Sequence, residues 1–206
     1  MKFTYCLPIG LTLVLSACTS ITPVAPPTAT VAKPVSWSQR QQQLSTVTAW
    51  NLQGAIGMQQ NDKHWSASIN WQQEQASNYT IRLFGPFGAG ATVLQGQPGQ
   101  VSLVTNDHPQ PVISTNPESL IAKETGWNLP VSNLYYWVRS IPAPGAPSSI
   151  TLDQANRLST LQQAGWQINY LDYTTVNGLD LPSTIRLNSP NFSIKLVIKE
   201  WSFTHK

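Results

Sequence analysis

Charge is scarce in this chain. Only 10% of its 206 residues are Asp, Glu, Lys or Arg, against about 25% in ordinary soluble domains. The formal balance is +3, too small for the electrostatic footprint of a nucleic-acid binder. Cysteine is scarcer still, with Cys6 and Cys18 alone, so no cysteine cluster for a metal exists. No apolar run approaches the ~20 residues that a bilayer-spanning helix needs. There is no Gly-x-Ser-x-Gly elbow and no His-Glu-x-x-His helix. The three histidines, His64, His108 and His205, fall near expected turns or the end of the chain, where they read as solvated. Asp153, Asp172 and Asp180 read as surface acids. These absences argue against hydrolytic and metal-assisted chemistry. No enzyme activity, cofactor, metal or nucleic-acid partner is expected.

The N-terminus carries the strongest positive signal. Lys2 precedes an apolar run that starts at Cys6 and closes on Leu15-Ser16-Ala17-Cys18. A charged start, a short apolar stretch and small residues before a cut make a secretory signal peptide. A cysteine directly after the cut resembles a bacterial lipobox. That resemblance implies cleavage before Cys18, a diacylglyceryl group on its thiol and acylation of the new amine. Residues 1–17 are then the signal peptide, and Cys6 leaves with them. No disulfide is available to the exported protein, so core burial must stabilise it. Attachment is by lipid alone, which two or more chains make stable. Thr19 stands where an aspartate commonly retains lipoproteins in the inner membrane, so the outer membrane of a Gram-negative cell is expected, on its periplasmic face. Residues 18–35, with Pro23, Pro26, Pro27 and Pro34, read as the acylated cysteine and an extended tether, reaching some ~50 Å at ~3.1 Å per residue.

A single domain over 36–206 follows. Ser36 and the Gln-rich stretch after it predict a helix over about 37–48. Strict alternation then takes over in Trp50, Leu52, Gly54, Ile56, Met58 and in Trp65, Ala67, Ile69, Trp71. This two-residue period predicts half-buried antiparallel strands. Asn61-Asp62-Lys63 breaks the first from the second. Tyr79, Ile81 and Leu83 continue the pattern, and further strands are expected near 90–96, 100–105, 110–114, 157–163, 165–174 and 183–188. In the last strand Phe192 to Ile198 share a phase that Trp201 and Phe203 reverse, which predicts a bulge near Lys199. Asn116-Pro117-Glu118-Ser119 predicts a helix start and Gly126 its end. A second inserted helix is expected from Ser132-Asn133, with Leu134, Trp137, Val138 and Ile141 on one side. The fold class is mainly β: a strongly curved antiparallel sheet of about 10–11 strands forming an open, incomplete barrel. An N-terminal helix and a two-helix insert act as lid or plug. Such a shape encloses either a packed core or a ligand cavity, and alternation does not distinguish them.

Gly85-Pro86-Phe87-Gly88-Ala89-Gly90 links two expected strands and opens no helix, so it is a poor phosphate cradle. It places one phenylalanine at a loop tip. Phe87 there either projects into water, forgoing ~1.5–3 kcal/mol of burial in favour of a lipid contact, or folds back as a plug.

Several phrases in order resemble the LolB family of outer-membrane lipoprotein receptors, from Trp37 to about Trp201. They are Trp50-Asn51-Leu52-Gln53-Gly54-Ala55, Ile69-Asn70-Trp71-Gln72-Gln73, Tyr79-Thr80-Ile81-Arg82-Leu83 leading into Gly85–Gly88, Gly126-Trp127-Asn128-Leu129-Pro130-Val131, Leu134-Tyr135-Tyr136-Trp137, and Leu181-Pro182 followed by Ile185-Arg186-Leu187. The resemblance implies an apolar cavity that takes lipoprotein acyl chains from the periplasmic carrier LolA and releases the cargo into the outer membrane. It implies that Phe87 occupies a membrane-insertion loop, where leucine is usual, and that glycine is usual where Ser140 stands. Candidate cavity-lining residues are Trp65, Ile69, Trp71, Ile81, Leu83, Trp137, Ile168, Ile194 and Leu196, each of which also suits a plain core. A monomer is expected. The competing expectation is a non-catalytic structural or assembly lipoprotein with a filled barrel and no cargo. A lipid-binding esterase is a third, which the missing nucleophile motif disfavours.

Overall fold

Eleven strands form one antiparallel sheet in the order β6-β5-β4-β3-β2-β1-β11-β10-β9-β8-β7. The computed structural model describes residues 35–86 and 90–203, so Cys18, Phe87 and His205 lie outside the described residues. The strands are β1 (Trp50–Gln60), β2 (Lys63–Gln75), β3 (Asn78–Phe84), β4 (Ala91–Gln97), β5 (Gln100–Val104), β6 (Val112–Ser114), β7 (Ser148–Leu152), β8 (Leu158–Gln163), β9 (Trp166–Val176), β10 (Leu179–Ser189) and β11 (Phe192–Phe203). The helices are α1 (Trp37–Ser45), α2 (Pro117–Thr125) and α3 (Val131–Trp137). The edge strands β6 and β7 do not pair with each other, so the barrel stays open. The chain leaves one edge at Ser114 and reaches the other at Ser148. The insert with α2 and α3 is therefore the crossing between the two free edges.

Alternation produces the sheet as expected. On β1, Trp50, Leu52, Ile56 and Met58 are buried, and Ala67, Ile69 and Trp71 follow on β2. Burying each such large side chain contributes ~1.5–3 kcal/mol. The predicted bulge is present at Lys199: Gln53 faces Glu200 while Gly54 faces Ile198, leaving Lys199 without a partner. The bulge turns Trp201 inward, where it meets Trp50 edge-on at 5.3 Å. It also explains Gly54, because a Cβ there would collide with the Val197 carbonyl oxygen.

Four local readings need correction. The first helix ends at Ser45, not 48, because Thr46 caps it by donating its N–H to Gln43 and Leu44. β7 has no sequence signature, since it is an exposed edge strand without alternation. β10 starts at Leu179, earlier than expected. Pro182 is tolerated at a register irregularity, and its carbonyl accepts the Trp201 indole N–H at 2.8 Å. Finally, α3 starts at Val131 with no side-chain cap of its own and stops at Trp137. Its Ser132 N–H is instead satisfied by the Glu118 carboxylate of α2, at 2.9 Å. A cap supplied from another helix leaves no local trace. By contrast α2 has the expected Asn116 cap, Pro117 at its first turn and a left-handed Gly126 at its end.

Candidate functional site

The concave face of the sheet is apolar, and α2 and α3 lie over it. Leu120 and Ile121 of α2 and Val131, Tyr135 and Trp137 of α3 are buried in the same core as the strand residues. A cleft of about 280 Å³ remains between the sheet and these helices, lined by Trp71, Tyr79, Val101, Val131, Tyr135 and Tyr136 among others. It lies at the end of the sheet that holds the Ala76-Ser77 and Pro98-Gly99 turns. Trp71 donates its indole N–H to Gln73 Oε1 at 2.8 Å, and Gln73 in turn donates to the carbonyls of Gln75 and Asn78. This buried polar pair satisfies its own donors and acceptors inside the cleft wall. Tyr79 lies at its rim, its phenol pushed up to about 12 by burial and then by the Glu118 carboxylate. It stays a neutral hydrogen-bonding group at physiological pH. A Cβ on Gly96 would clash with the Tyr79 ring, so the glycine makes room for it.

The sequence-predicted lining residues divide. Trp71 lines the cleft. Ile69, Ile81, Leu83, Trp137, Ile168, Ile194 and Leu196 are all buried in the packed core of this closed arrangement. Trp65 is half-buried at the opposite end, packed against Trp127 with ring centres 4.9 Å apart and planes tilted by 52°. Trp127 sits in the loop between α2 and α3, so this pair pins the insert to β2.

Two further polar groups hold the insert, and alternation does not reveal either. Gln163, on the inner face of β8, accepts from the Trp137 indole and from Ala143 N–H, both at 2.8 Å. Its amide donates to the carbonyls of Ala143 and Ala146. Arg139 is buried at 2% exposure and has no carboxylate partner among the described residues. Its guanidinium donates to the carbonyls of Tyr135 (3.0 Å), Val47 (2.6 Å) and Leu44 (3.4 Å), and stacks 4.0 Å from the Tyr135 ring centre. Burial holds its pKa below the ordinary guanidinium value, opposed by Tyr135 and Tyr136. Arg139 thereby adds a donor to carbonyls at and just past the end of α1 and ties that end to the end of α3. Ser140 follows with φ at 54°, a left-handed conformation that costs a non-glycine residue ~1–2 kcal/mol.

At the other end of the sheet, Gly85 N–H donates to the Gly90 carbonyl at 3.1 Å, and Ala91 N–H donates to Asn106 Oδ1 at 3.0 Å. The root of the Gly85–Gly90 loop is thus fixed. Phe84, at that root, is 38% exposed, an outward aromatic masked in the sequence by the stronger alternation of Tyr79, Ile81 and Leu83. Among the described residues no group of three His, Cys, Asp or Glu could hold a metal.

Comparison with known proteins agrees with this architecture. The family model described as outer membrane lipoprotein LolB matches residues 48–201. The outer-membrane lipoprotein LolB of Pseudomonas savastanoi pv. phaseolicola is 42% identical over 168 residues, covering 82% of this chain and 81% of the relative. That of Coxiella burnetii strain RSA 493 is 38% identical over 202 residues, covering 98% and 94%. A LolA superfamily protein from Nitrosomonas europaea superposes with TM-score 0.52 at 9% identity, over 84% of this chain and 95% of that one. A DUF1329 family protein from Desulfovibrio piger reaches TM-score 0.56 at 6% identity, over 81% and 90%. At such identities the two structures speak for the fold alone, the mainly β open sheet described above. With a family match across most of the domain and relatives near 40% identity over most of its length, the chain belongs to the LolB family of outer-membrane lipoproteins.

Proposed function

We propose that this chain is a lipid-anchored receptor on the periplasmic face of the outer membrane. It accepts lipoproteins from the carrier LolA, shelters their acyl chains against the concave sheet and incorporates them into the membrane. On this reading residues 1–17 are removed, Cys18 carries the anchor, residues 18–35 are a tether and 36–206 bind cargo as a monomer, without catalysis. The observation that carries the proposal is the unsealed apolar face. The edge strands β6 and β7 do not pair, and the helices packed on the apolar face are held there by side chains and not by a ladder of hydrogen bonds. A helical cover can lift without breaking the sheet. The cleft of about 280 Å³ sits at the lower limit of ligand pockets, which span roughly 300–1,000 Å³. Admitting an acyl chain therefore requires α2 and α3 to move outward and expose the candidates now packed beneath them. Acyl chains stay hidden from water in carrier and receptor alike. A difference of ~1.4 kcal/mol in affinity already biases transfer tenfold, and no nucleotide is needed.

The test is cargo transfer. The chain from Cys18 to Lys206, made without acyl groups, would be mixed with LolA carrying a radiolabelled lipoprotein. Label is expected to move to this chain. Label staying on the carrier while this chain is folded would favour the alternative, a structural lipoprotein with a filled barrel. The tight burial of most candidate lining residues is the observation on that side. A second expectation concerns the loop. Phe87→Glu should accept cargo normally yet insert it into vesicles about tenfold more slowly or worse, because a charge in the apolar layer costs ~2.5–3.5 kcal/mol at the bilayer centre. Normal insertion by that variant would remove the loop from the mechanism.

A further inference from the structure

We infer that the outer face of β1, β2, β10 and β11 carries a site for the phosphate of an anionic phospholipid headgroup. Four strands distant in sequence build it. In one cross-strand row, Arg186 of β10 faces Lys195 of β11, which faces Gly57 of β1, which faces Ser66 of β2. The next row, towards the strand ends, is Asn188, Ser193, Gln59 and His64. Together they line a groove of about 530 Å³. Its floor is open because Gly57 has no side chain and nothing lies within 4 Å of where a Cβ would be.

The charge arrangement points to an anion. Like charges placed directly opposite on a sheet repel and destabilise it, yet Arg186 and Lys195 are so placed. No carboxylate lines the groove. The ion pairs among the described residues are Arg40–Asp180, His108–Glu124, Lys123–Glu124 and Arg157–Asp153, none involving Arg186 or Lys195. Two unneutralised cations beside serine hydroxyls and side-chain amides supply charge and hydrogen-bond donors for a phosphate. In a chain with so few charges, this concentration is not a by-product of a generally charged surface.

Position selects a membrane phosphate over a soluble one. Phe84 lies on the same outer face, opposite Ser68, the next outward residue of β2 after Ser66. It is exposed, at the end of β3 that lies on the same side of the sheet as His64 and Gln59. An exposed aromatic ring on the same face as the cations, three strands from Lys195, is the chemistry of a lipid interface, where rings enter the acyl boundary and basic groups meet headgroups. The site would orient this end of the barrel towards the membrane during release.

The inference rests on the reading of the chain as a membrane-attached receptor, but vesicle binding needs neither cargo nor carrier, so the two fail separately. The chain from Cys18 to Lys206 without acyl groups would be titrated with phosphatidylcholine vesicles, with and without phosphatidylglycerol, at constant ionic strength. Combining Arg186→Gln with Lys195→Gln is expected to weaken binding to the anionic vesicles about tenfold or more. The pair Lys123→Gln with Lys199→Gln removes the same charge elsewhere and should change it less than about threefold. Thermal melts would verify that both variants fold, as expected for exposed positions. Equal losses in the two variants would reduce the effect to net charge and overturn the site, as would full binding by the first. Displacement of the vesicles by inorganic phosphate, beyond that by chloride at the same ionic strength, would assign a soluble anion instead. Unchanged vesicle binding with lost transfer from the carrier would make the groove a protein contact.

Discussion

Gln163→Leu is expected to lower the unfolding free energy by roughly 3–5 kcal/mol, a large part of the ~5–15 kcal/mol of a typical domain. Leucine approximates the side-chain volume, so the loss is not a cavity effect. The Trp137 indole N–H and both backbone groups of Ala143 lose their partner. Trp137 and Ala143 are buried, and each buried polar group left unsatisfied costs ~1–3 kcal/mol. The Ala146 carbonyl, half-buried, loses its contact as well. Because these groups lie on α3 and on the stretch from α3 to β7, the insert should loosen first, giving early proteolysis near residues 138–147. Urea unfolding of this variant beside Gln162→Leu, an exposed neighbour on the same strand, measures the effect. The neighbour should stay within about 0.5 kcal/mol of the parent. A loss below 1 kcal/mol for Gln163→Leu would mean that the insert is held by apolar packing alone.

Cys18→Ala is expected to abolish attachment. A single acyl chain binds membranes only marginally, with K of about 10⁴ M⁻¹, whereas a second chain makes release negligible. On the lipobox reading, removing the thiol removes the diacylglyceryl group, and with it the substrate for cleavage and for acylation of the amine. Labelled fatty acid should therefore enter the parent and a Cys6→Ala control but not Cys18→Ala, which should also keep residues 1–17 and leave the outer-membrane fraction. Cys6 and Cys18 are the only cysteines, so the pair of variants is decisive. Label on Cys18→Ala would end the lipobox reading.

Much of the fold was legible in the sequence. Alternation on β1, β2, β3 and β11 is a property of neighbouring residues, since each successive side chain takes the opposite face. The same local rule located the bulge at Lys199, because a phase reversal within one strand needs one extra residue. The ends of α2 were legible for the same reason: Asn116, Pro117 and Gly126 act on their own turn of backbone. β7 and the start of α3 were not, because an exposed edge has no face to mark and the α3 cap comes from Glu118, on another helix.

The candidate site divides along the same line. The phrases resembling the family are contiguous and could be read directly, as could the apolar character of Trp71 and its neighbours. Tertiary structure alone decided that β6 and β7 remain apart, that the insert crosses between them, and that most of the lining candidates are packed under it. It alone placed Gln73, Gln163 and Arg139 inside, where polarity in the sequence suggested surface: Gln163 and Arg139 meet carbonyls and an indole distant along the chain, and Gln73 meets Trp71, Gln75 and Asn78 only once β2 and β3 have paired. The groove of Arg186, Lys195, Gly57 and Ser66 likewise exists only through strand register. Local periodicity specifies which face a residue occupies. Which residues share that face is set by pairing between distant strands, and that is a property of the folded chain.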